Sequence, residues 1–211
     1  MQLDERVAAT GCVAVMQTAQ VMVSNAETAA CLAGLISVPG IGATATNNDG
    51  FNFVDFLISN LRLFSSPGAK EMMLPVVNAF MKAGGSIDAI NRHGTSTLMQ
   101  CFRSVPLTTE SIEFVLELLN LSNVNPEVKD KDGYSLMYHL TNNVALLNTS
   151  QGKDVIFRLG MRILERGGAV NECNCANGAT PLIRLAQTVP PSRGGVDSFI
   201  ALLSLPGVNA S

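Results

Sequence analysis

Apolar residues recur at helical spacing in four successive segments of the chain, and each segment starts just after a glycine in a short polar run. The four glycines are Gly50, Gly94, Gly133 and Gly178, at separations of 44, 39 and 45 residues. A period of this length indicates one supersecondary unit that stacks on copies of itself. The pattern predicts a repeat protein, and repeats of this kind point toward binding rather than catalysis.

Each repeat is predicted to hold two helices separated by a polar break. In the second repeat, Ile112, Val115 and Leu119 fall on one helical face. Thr108 or Thr109 is placed to cap this helix, and Glu110 suits its first turn. We predict no strands, and helices over 53–64, 69–83, from 108 or 109 to near 122, 135–147, 153–166, 180–188 and 196–203.

The chain is predicted to be a single domain, because no linker rich in proline, glycine or serine divides it. A degenerate helix pair over residues 1–36 precedes the four repeats, as expected of a terminal unit that presents one face to solvent. The repeats are assigned to 37–83, 84–120, 121–166 and 167–203.

The last eight residues, 204–211, closely echo residues 37–44. The earlier copy leads into a further helix pair, whereas the later copy stops. We therefore expect the chain to be a fragment, with at least one more repeat or domain following in the parent protein. Without that repeat, Leu202 and Leu203 would form an exposed, uncapped face, and self-association through this face stays open.

Composition narrows the function classes. The net charge of −3 includes no basic excess, which argues against nucleic acid as the main ligand. The N-terminus lacks the pattern of a signal peptide, and no run of 18 apolar residues predicts a membrane span. The five cysteines are odd in number and scattered, which favours a reduced, cytoplasmic protein.

Several motifs resemble ankyrin repeats. The segment Gly178-Ala179-Thr180-Pro181-Leu182 matches the family's helix start, and Gly94-Thr95-Ser96-Thr97-Leu98 keeps its glycine, hydroxyl and leucine. The segments 84–88, 122–125 and 167–171 resemble the family's Gly-Ala-Asp-Val-Asn ending. The resemblance implies an all-α solenoid of stacked antiparallel helix pairs with β-turn finger loops. It further implies a partner protein bound on a concave surface, with no cofactor and no enzymatic activity.

Two departures from the family pattern stand out. The repeats are longer than the family's roughly 33 residues, and most of the excess lies between the two helices. Asn52-Phe53 and Ser135-Leu136 replace the family's Thr-Pro pair. We expect the turns at these two positions to be less regular.

The resemblance also implies which positions face a partner, namely those that flank the finger glycine and those that follow the first helix. Such positions are expected to be free of packing duty, and aromatic and arginine side chains there are typical of interface hot spots. We rank Tyr134 and Arg92 first. The protein-binding candidates are Asn48, Asp49, Phe51, Ser59, Asn60, Arg92, His93, Thr95, Arg103, Ser104, Lys131, Asp132, Tyr134, Asn142, Asn143, Ala176, Asn177, Ala179, Gln187 and Thr188.

No catalytic, metal or cofactor site is predicted. Cys173 and Cys175 lack the two further ligands at compatible spacing that structural zinc requires. One of them is expected to replace a variable finger residue and the other to pack inward. Cys101 falls at a buried alanine position of the family and is not expected to act as a nucleophile.

Two charged stripes have more than one interpretation. Arg158, Arg162 and Arg166 lie at i, i+4 and i+8, and aligning the helix ends places Glu113 opposite Arg158 and Glu117 opposite Arg162. Surface pairs between neighbouring repeats are the favoured interpretation, each contributing about 0–1 kcal/mol. A lipid or phosphate site on the three arginines is the alternative.

Two functions from different classes follow. The first is an intracellular module that binds another protein through its finger and first-helix residues. The second is the targeting half of a larger enzyme, such as a secreted bacterial effector acting in a host cytosol, whose catalytic domain lies outside this sequence. A purely structural spacer is a third possibility.

Overall fold

The computed structural model describes residues 14–22, 25–38, 44–175 and 177–208, and the regular secondary structure within them is entirely helical. The backbone forms two compact units, Met1–Thr97 and Leu98–Ser211. The first unit holds α1 (Ala14–Val21), α2 (Ala26–Ile36), α3 (Phe53–Ser59), α4 (Leu61–Phe64) and α5 (Ala69–Lys82). Helix α6 (Thr97–Ser104) begins at the boundary, and the second unit continues with α7 (Thr109–Asn120), α8 (Leu136–Thr141), α9 (Val144–Leu147), α10 (Gly152–Glu165), α11 (Pro181–Thr188) and α12 (Arg193–Leu203).

In the first unit, the first helices of successive helix pairs pack against each other, and so do the second helices. Helix α1 lies against α3, and α2 lies against α5. Phe53 of α3 and Phe80 of α5 are buried with their ring centroids 6.2 Å apart, and so they join the two pairs. Burying the apolar stripe of each helix against another element is what stabilises such layers.

The second unit repeats this arrangement. Helix α8 packs against α11, while α10 contacts both α7 and α12. Ser198, Ala201 and Leu202 are buried at helical spacing along α12. The expected exposure of Leu202 is therefore wrong, because the side of α12 that carries it is buried. Leu203, on the next position around the helix, is 39% exposed.

Most helix boundaries agree with the sequence because local signals mark them. The Thr108 hydroxyl accepts a hydrogen bond from the Ser111 N–H and caps α7. Thr180 accepts in the same way from Ile183, and Pro181 opens α11 without losing a helical hydrogen bond. Helix α10 ends just before Gly167, whose φ of 89° is the left-handed conformation that terminates many helices.

Continuous helices over 53–64 and 135–147 are predicted wrongly, since each is interrupted. The Asn60 side chain accepts from the Leu63 N–H at 3.2 Å and starts the short helix α4. The Asn143 side chain accepts from the Leu146 N–H at 3.3 Å and starts α9. An asparagine that bonds to nearby backbone competes with helix continuation. The extra length of these repeats thus includes a short helix of four residues.

The same two asparagines also join neighbouring repeats. Asn60 Nδ2 donates to the Met22 carbonyl at 2.8 Å, beyond the end of α1. Asn143 Nδ2 donates to the Phe102 and Val105 carbonyls at 3.4 and 3.3 Å, at the end of α6. Each side chain therefore uses its acceptor within its own repeat and its donor on the preceding one.

The expected helix pair at the N-terminus is present in its described part as α1 and α2. Residues 1–13, which include Cys12, lie outside the described residues, as do 39–43 and 209–211, which make up half of the two echoing segments. The assignment of the whole chain to a single domain, with its repeat boundaries, stays a prediction.

Candidate functional site

Four finger loops carry twelve of the twenty candidate residues, and all four loops are built on an asparagine or aspartate. They are the first finger (47–51), the second (91–95), the third (130–134) and the fourth (174–179, of which 176 is not described). In the first finger, Asn47 Oδ1 accepts from the N–H groups of Asp49 and Phe51 at 3.0 and 2.9 Å. Asn91 and Asp130 hold the second and third fingers with the same two bonds. Such side-chain bonds mimic a backbone turn and fix the loop.

The finger glycines adopt the left-handed conformation that the sequence predicts. Gly50, Gly94, Gly133 and Gly178 have φ values of 83°, 85°, 83° and 68°. The expectation of less regular turns after Gly50 and Gly133 is wrong, because Asn52 and Ser135 cap α3 and α8 much as threonine does elsewhere. The fourth finger is one residue longer, so Asn174 binds the N–H of Asn177 and the carbonyl of Ala179.

Neighbouring fingers within a unit are joined through the backbone. In the first unit, the Arg92 N–H donates to the Asp49 carbonyl at 3.0 Å. In the second unit, the Cys175 N–H donates to the Asp132 carbonyl at 3.2 Å. A side chain at Gly133 would place its Cβ 2.7 Å from the Cys175 sulfur. Glycine is needed there for close approach as well as for its φ.

The first unit presents an aromatic contact between its two fingers. The rings of Phe51 and His93 stack with centroids 5.3 Å apart. His93 Nε2 also lies 3.9 Å from Asp49 Oδ1, and both of these side chains are 59% exposed. Arg92 projects into solvent beside them. Residues that the sequence places at partner-facing positions are therefore brought together here.

The second unit presents a larger cluster, formed by the third finger, α8 and α11. The rings of Tyr134 and Tyr138 stack with centroids 3.8 Å apart. The Arg184 guanidinium lies over the Tyr138 ring, with Cζ 5.9 Å from the centroid. Arg184 Nε and Nη2 both donate to Asn142 Oδ1, at 3.0 and 2.9 Å. We call these four residues the Tyr–Arg cluster.

Burial and hydrogen bonding hold Tyr138 as a neutral phenol. Burial raises the pKa of Tyr138 above its ordinary value, and a side-chain hydrogen bond with Tyr134 raises that pKa further, against the opposing charge of Arg184. Tyr134 itself is half-buried. The Tyr134 ring is thus available to a partner, while the buried Tyr138 ring holds it in place.

A buried histidine–aspartate hydrogen bond lies next to the Tyr–Arg cluster. His139 Nε2 lies 3.0 Å from Asp130 Oδ2, and both side chains are 6% exposed. Burial lowers the pKa of His139 below its ordinary value, the attraction of Asp130 opposes that shift, and the charge of Arg103 adds to it. A neutral ring with its proton on Nε2 donates to the carboxylate that organises the third finger. His139 therefore ties α8 to the finger that carries Tyr134.

The structure distributes the predicted binding residues over three environments. Ala176 lies outside the described residues. Asn143 and Ala179 are buried. The half-buried ones are Phe51, Asn60, Thr95, Tyr134, Asn142 and Thr188, and the exposed ones are Asn48, Asp49, Ser59, Arg92, His93, Arg103, Ser104, Lys131, Asp132, Asn177 and Gln187.

For two of these residues the assumption of freedom from packing duty is wrong. Asn143 is 3% exposed, because its side chain caps α9 and binds the end of α6. Ala179 is 6% exposed, and its N–H and carbonyl are both engaged within the fourth finger. Neither offers a side chain to a partner.

Sequence reasoning missed Asp130, Tyr138, His139 and Arg184. One signal was present, since an asparagine or aspartate stands three residues before each of the first three finger glycines. Arg184 follows Gly178 by six residues, the same interval as from Gly133 to His139. Which of these helix positions face the surface depends on the neighbouring repeat, and the period alone does not give that.

The two cysteines of the fourth finger differ from expectation. Cys173 and Cys175 are both exposed, so the expected inward packing of one of them is wrong. Asn174, between them, is the residue that packs inward, because it holds the loop. In the described part of the chain, no group of three or more histidine, cysteine, aspartate or glutamate side chains is arranged to hold a metal ion.

Of the two ion pairs predicted between the charged stripes, only one is formed. Arg158 makes an ion pair with Glu113, as expected. The pairing of Arg162 with Glu117 is wrong, because Arg162 lies 3.3 Å from Glu165 of its own helix. Arg166 Nη2 donates to the Leu121 carbonyl at 3.0 Å. All three arginines therefore have protein partners, and this weakens the alternative of a lipid or phosphate site.

No helix in the described ranges is both long and apolar enough to cross a lipid bilayer.

Comparison with known proteins identifies the fold and nothing more specific. No protein-family profile matches the sequence, and no curated protein matches it. A crystal structure of an ankyrin repeat domain from Acinetobacter baumannii AYE is similar, with a TM-score of 0.62 and 18% identity over 96% of this chain and 85% of that one. The chain has the ankyrin-repeat fold, which confirms the fold expected from the segment 178–182.

Proposed function

We propose that this chain is a binding module for another protein, with the partner docking on finger loops and first helices. In the second unit the proposed surface consists of the third and fourth fingers with α8 and α11. In the first unit it consists of the first and second fingers. The partner supplies any chemistry, and the module supplies recognition.

The Tyr–Arg cluster is the observation that carries this proposal. An aromatic stack and an arginine are held at the surface of the second unit by defined contacts, and neither Tyr134 nor Arg184 is needed to fill the core. Tyrosine and arginine are the side chains most often found at the energetic centre of an interface. Rigid side chains also lose little entropy when a partner binds.

We propose a cytosolic partner, since the four cysteines in the described residues are free thiols. Two of them, Cys173 and Cys175, are exposed on the fourth finger. Exposed thiols persist in a reducing compartment and are oxidised outside it. The scattered cysteines of the full sequence support the same compartment.

The test is affinity capture from cytosol, read by mass spectrometry, with four proteins compared. Wild type is set against Tyr134→Ala, and Arg92→Ala tests the first unit separately. Phe157→Ala is the matched control, because Phe157 is an aromatic residue 41% exposed on α10, away from the fingers. Circular dichroism establishes that each variant is folded.

We expect one specific protein to be captured by wild type and by Phe157→Ala, and to be lost with Tyr134→Ala. Direct binding of that purified protein is then measured by calorimetry, with a loss of about tenfold or more for the variant. Equal capture by all of the folded variants would refute the proposed surface.

A further inference from the structure

The arrangement of Arg184 points to the chemistry of the partner. Its guanidinium is half-buried and is held on two sides, by the Asn142 amide oxygen and by the ring of Tyr138. A neutral amide and an aromatic face orient the group without cancelling its charge. The side chain is therefore preorganised and remains cationic.

Three other arginines of the second unit differ in this respect, while Arg166 binds the Leu121 carbonyl instead. Arg158, Arg162 and Arg193 each lie within ion-pair distance of a carboxylate. Among the described residues no carboxylate comes within that distance of Arg184. The charge of Arg184 is therefore not neutralised within the unit, and an anion on a partner can bind it.

The carboxylate that organises this part of the surface is not available to Arg184. Asp130 Oδ1 accepts from two N–H groups of the third finger, and Oδ2 lies against His139. The Asp130 side chain is 6% exposed. The charge of Asp130 is thus engaged by the third finger and by His139, and it does not neutralise Arg184.

The surroundings of the Tyr–Arg cluster are cationic at the surface. Arg103, which is close enough to affect His139, and Lys131 on the third finger are both exposed. Asp132 is the exposed carboxylate of the same finger. Arg184, Arg103 and Lys131 thus outnumber Asp132 in this part of the second unit, and the nearby Lys129 is paired with Glu172. Complementary charge across an interface selects the partner.

We propose that the second unit recognises an acidic peptide segment of its partner, in which an aspartate or glutamate carboxylate binds Arg184 and a neighbouring apolar side chain packs on Tyr134. This inference rests on the protein-binding function proposed above. The Nε and Nη2 edge of the guanidinium is already occupied by Asn142, so the carboxylate is expected to bind the remaining protons of Nη1 and Nη2. A phosphate on the partner would use the same protons, and phosphoserine peptides distinguish the two ligands.

The test uses the purified chain and a displayed pool of random peptides of about twelve residues, which span about 40 Å when extended. Selection is carried out in parallel on wild type, Arg184→Gln, Tyr134→Ala and Arg193→Gln. Arg193 is the matched control, since its side chain is 95% exposed on α12 of the same unit. The best wild-type peptide is then synthesised with each acidic residue changed to its amide.

We expect peptides enriched in aspartate or glutamate next to an apolar residue. Changing the critical Glu to Gln, or Arg184 to Gln, should weaken binding about tenfold or more, and the two changes together should cost little more than either alone. Arg193→Gln should leave the affinity unchanged. The peptide change needs no altered protein, so the inference stays testable even if Arg184→Gln does not fold.

Two results would overturn the carboxylate while leaving the binding function intact. One is a set of peptides without acidic enrichment, whose binding depends on Tyr134 but not on Arg184. The other is binding at least tenfold tighter when phosphoserine replaces the critical glutamate, which would indicate a phosphate ligand. Peptides indifferent to both Tyr134 and Arg184, or no enriched peptide at all, would reject the surface itself, and with it both proposals.

Discussion

Asp55 is a buried carboxylic acid whose titration should be visible in the stability of the protein. Burial raises its pKa from 3.8 to about 6, although hydrogen bonds from Thr97 and the Asn52 backbone act in the opposite direction. The folded state therefore holds this proton more tightly than the unfolded chain does. The associated stability is fully present below pH 3.8 and is lost as the pH rises through about 6.

We predict that the free energy of unfolding of wild type, measured relative to Asp55→Asn, falls by up to about 3 kcal/mol between pH 4 and pH 7. Asparagine keeps an oxygen to accept from the Asn52 N–H, which the carboxylate accepts at 2.7 Å. Urea unfolding of both proteins across this range measures the difference. Asp132→Asn is the control, since that carboxylate is exposed. A difference that is flat with pH would contradict the raised pKa.

The role of Asp130 can be tested by substitution with asparagine, because asparagine stands at the equivalent position of the other three fingers. Asp130→Asn keeps the Oδ1 acceptor and should cost less than about 1 kcal/mol of unfolding free energy, whereas Asp130→Ala should cost about 1–3 kcal/mol. The alanine leaves the N–H groups of Asp132 and Tyr134 without their partner. Equal losses in urea unfolding at pH 7.5 would show that His139, rather than the loop, is what the aspartate serves.

At the scale of the element, the short helices α4 and α9 explain why the repeats are long. Asn143→Ala removes both the cap of α9 and the bonds to the Phe102 and Val105 carbonyls. We predict a loss of about 2–4 kcal/mol of unfolding free energy, and about half of that for Asn143→Ser, because serine keeps the cap but its short side chain does not reach the two carbonyls. Asn148→Ala is the control at an exposed helix end. Equal losses for serine and alanine would contradict the donor role.

Replacing a finger glycine has two energetic costs that can be measured separately, namely the left-handed φ and the close contact of the added Cβ. Gly133→Ala and Gly178→Ala both force alanine into a left-handed φ, at about 1 kcal/mol each. Only the first also brings a Cβ to 2.7 Å from the Cys175 sulfur, while Gly178 has open space. We predict that Gly133→Ala lowers the free energy of unfolding by about 1 kcal/mol or more beyond Gly178→Ala. Equal effects would mean that the fourth finger moves aside without cost.

Sequence reasoning succeeded where the cause is local and failed where it lies in another repeat. Thr108, Pro181 and the finger glycines act within a few residues, so the helices and turns they mark were predicted. Asn60 and Asn143 also bind carbonyls about forty residues away, and the helical period does not reveal these contacts. The same distinction applies to the residues of the candidate site.

Finger positions such as Phe51 and Tyr134 followed from the glycine register and lie at the surface of their units. Arg184 and Tyr138 lie inside helices, and their role depends on Asn142 and Tyr134, which they contact in space. A repeat motif identifies the loop that faces a partner. It does not identify which helical side chains the next repeat leaves exposed.

For the whole molecule, the distribution of charge predicts how salt acts on binding. The net charge of −3 repels an acidic peptide at long range, whereas Arg184, Arg103 and Lys131 attract it at short range. At about 0.1 M salt the Debye length is about 10 Å, so only the local attraction is felt near contact. The repulsion by the net charge and the attraction by the local cations oppose each other during approach, and only the local attraction acts in the complex.

We therefore predict that raising NaCl from about 0.05 to about 0.5 M increases the dissociation rate of the selected acidic peptide several-fold, with little change in its association rate. Arg184→Gln should abolish most of that dependence, and Arg193→Gln should preserve it. Stopped-flow fluorescence of the labelled peptide measures both rates. An association rate that falls steeply with salt would instead mean that an extended cationic field steers the peptide, and recognition would then not be centred on Arg184.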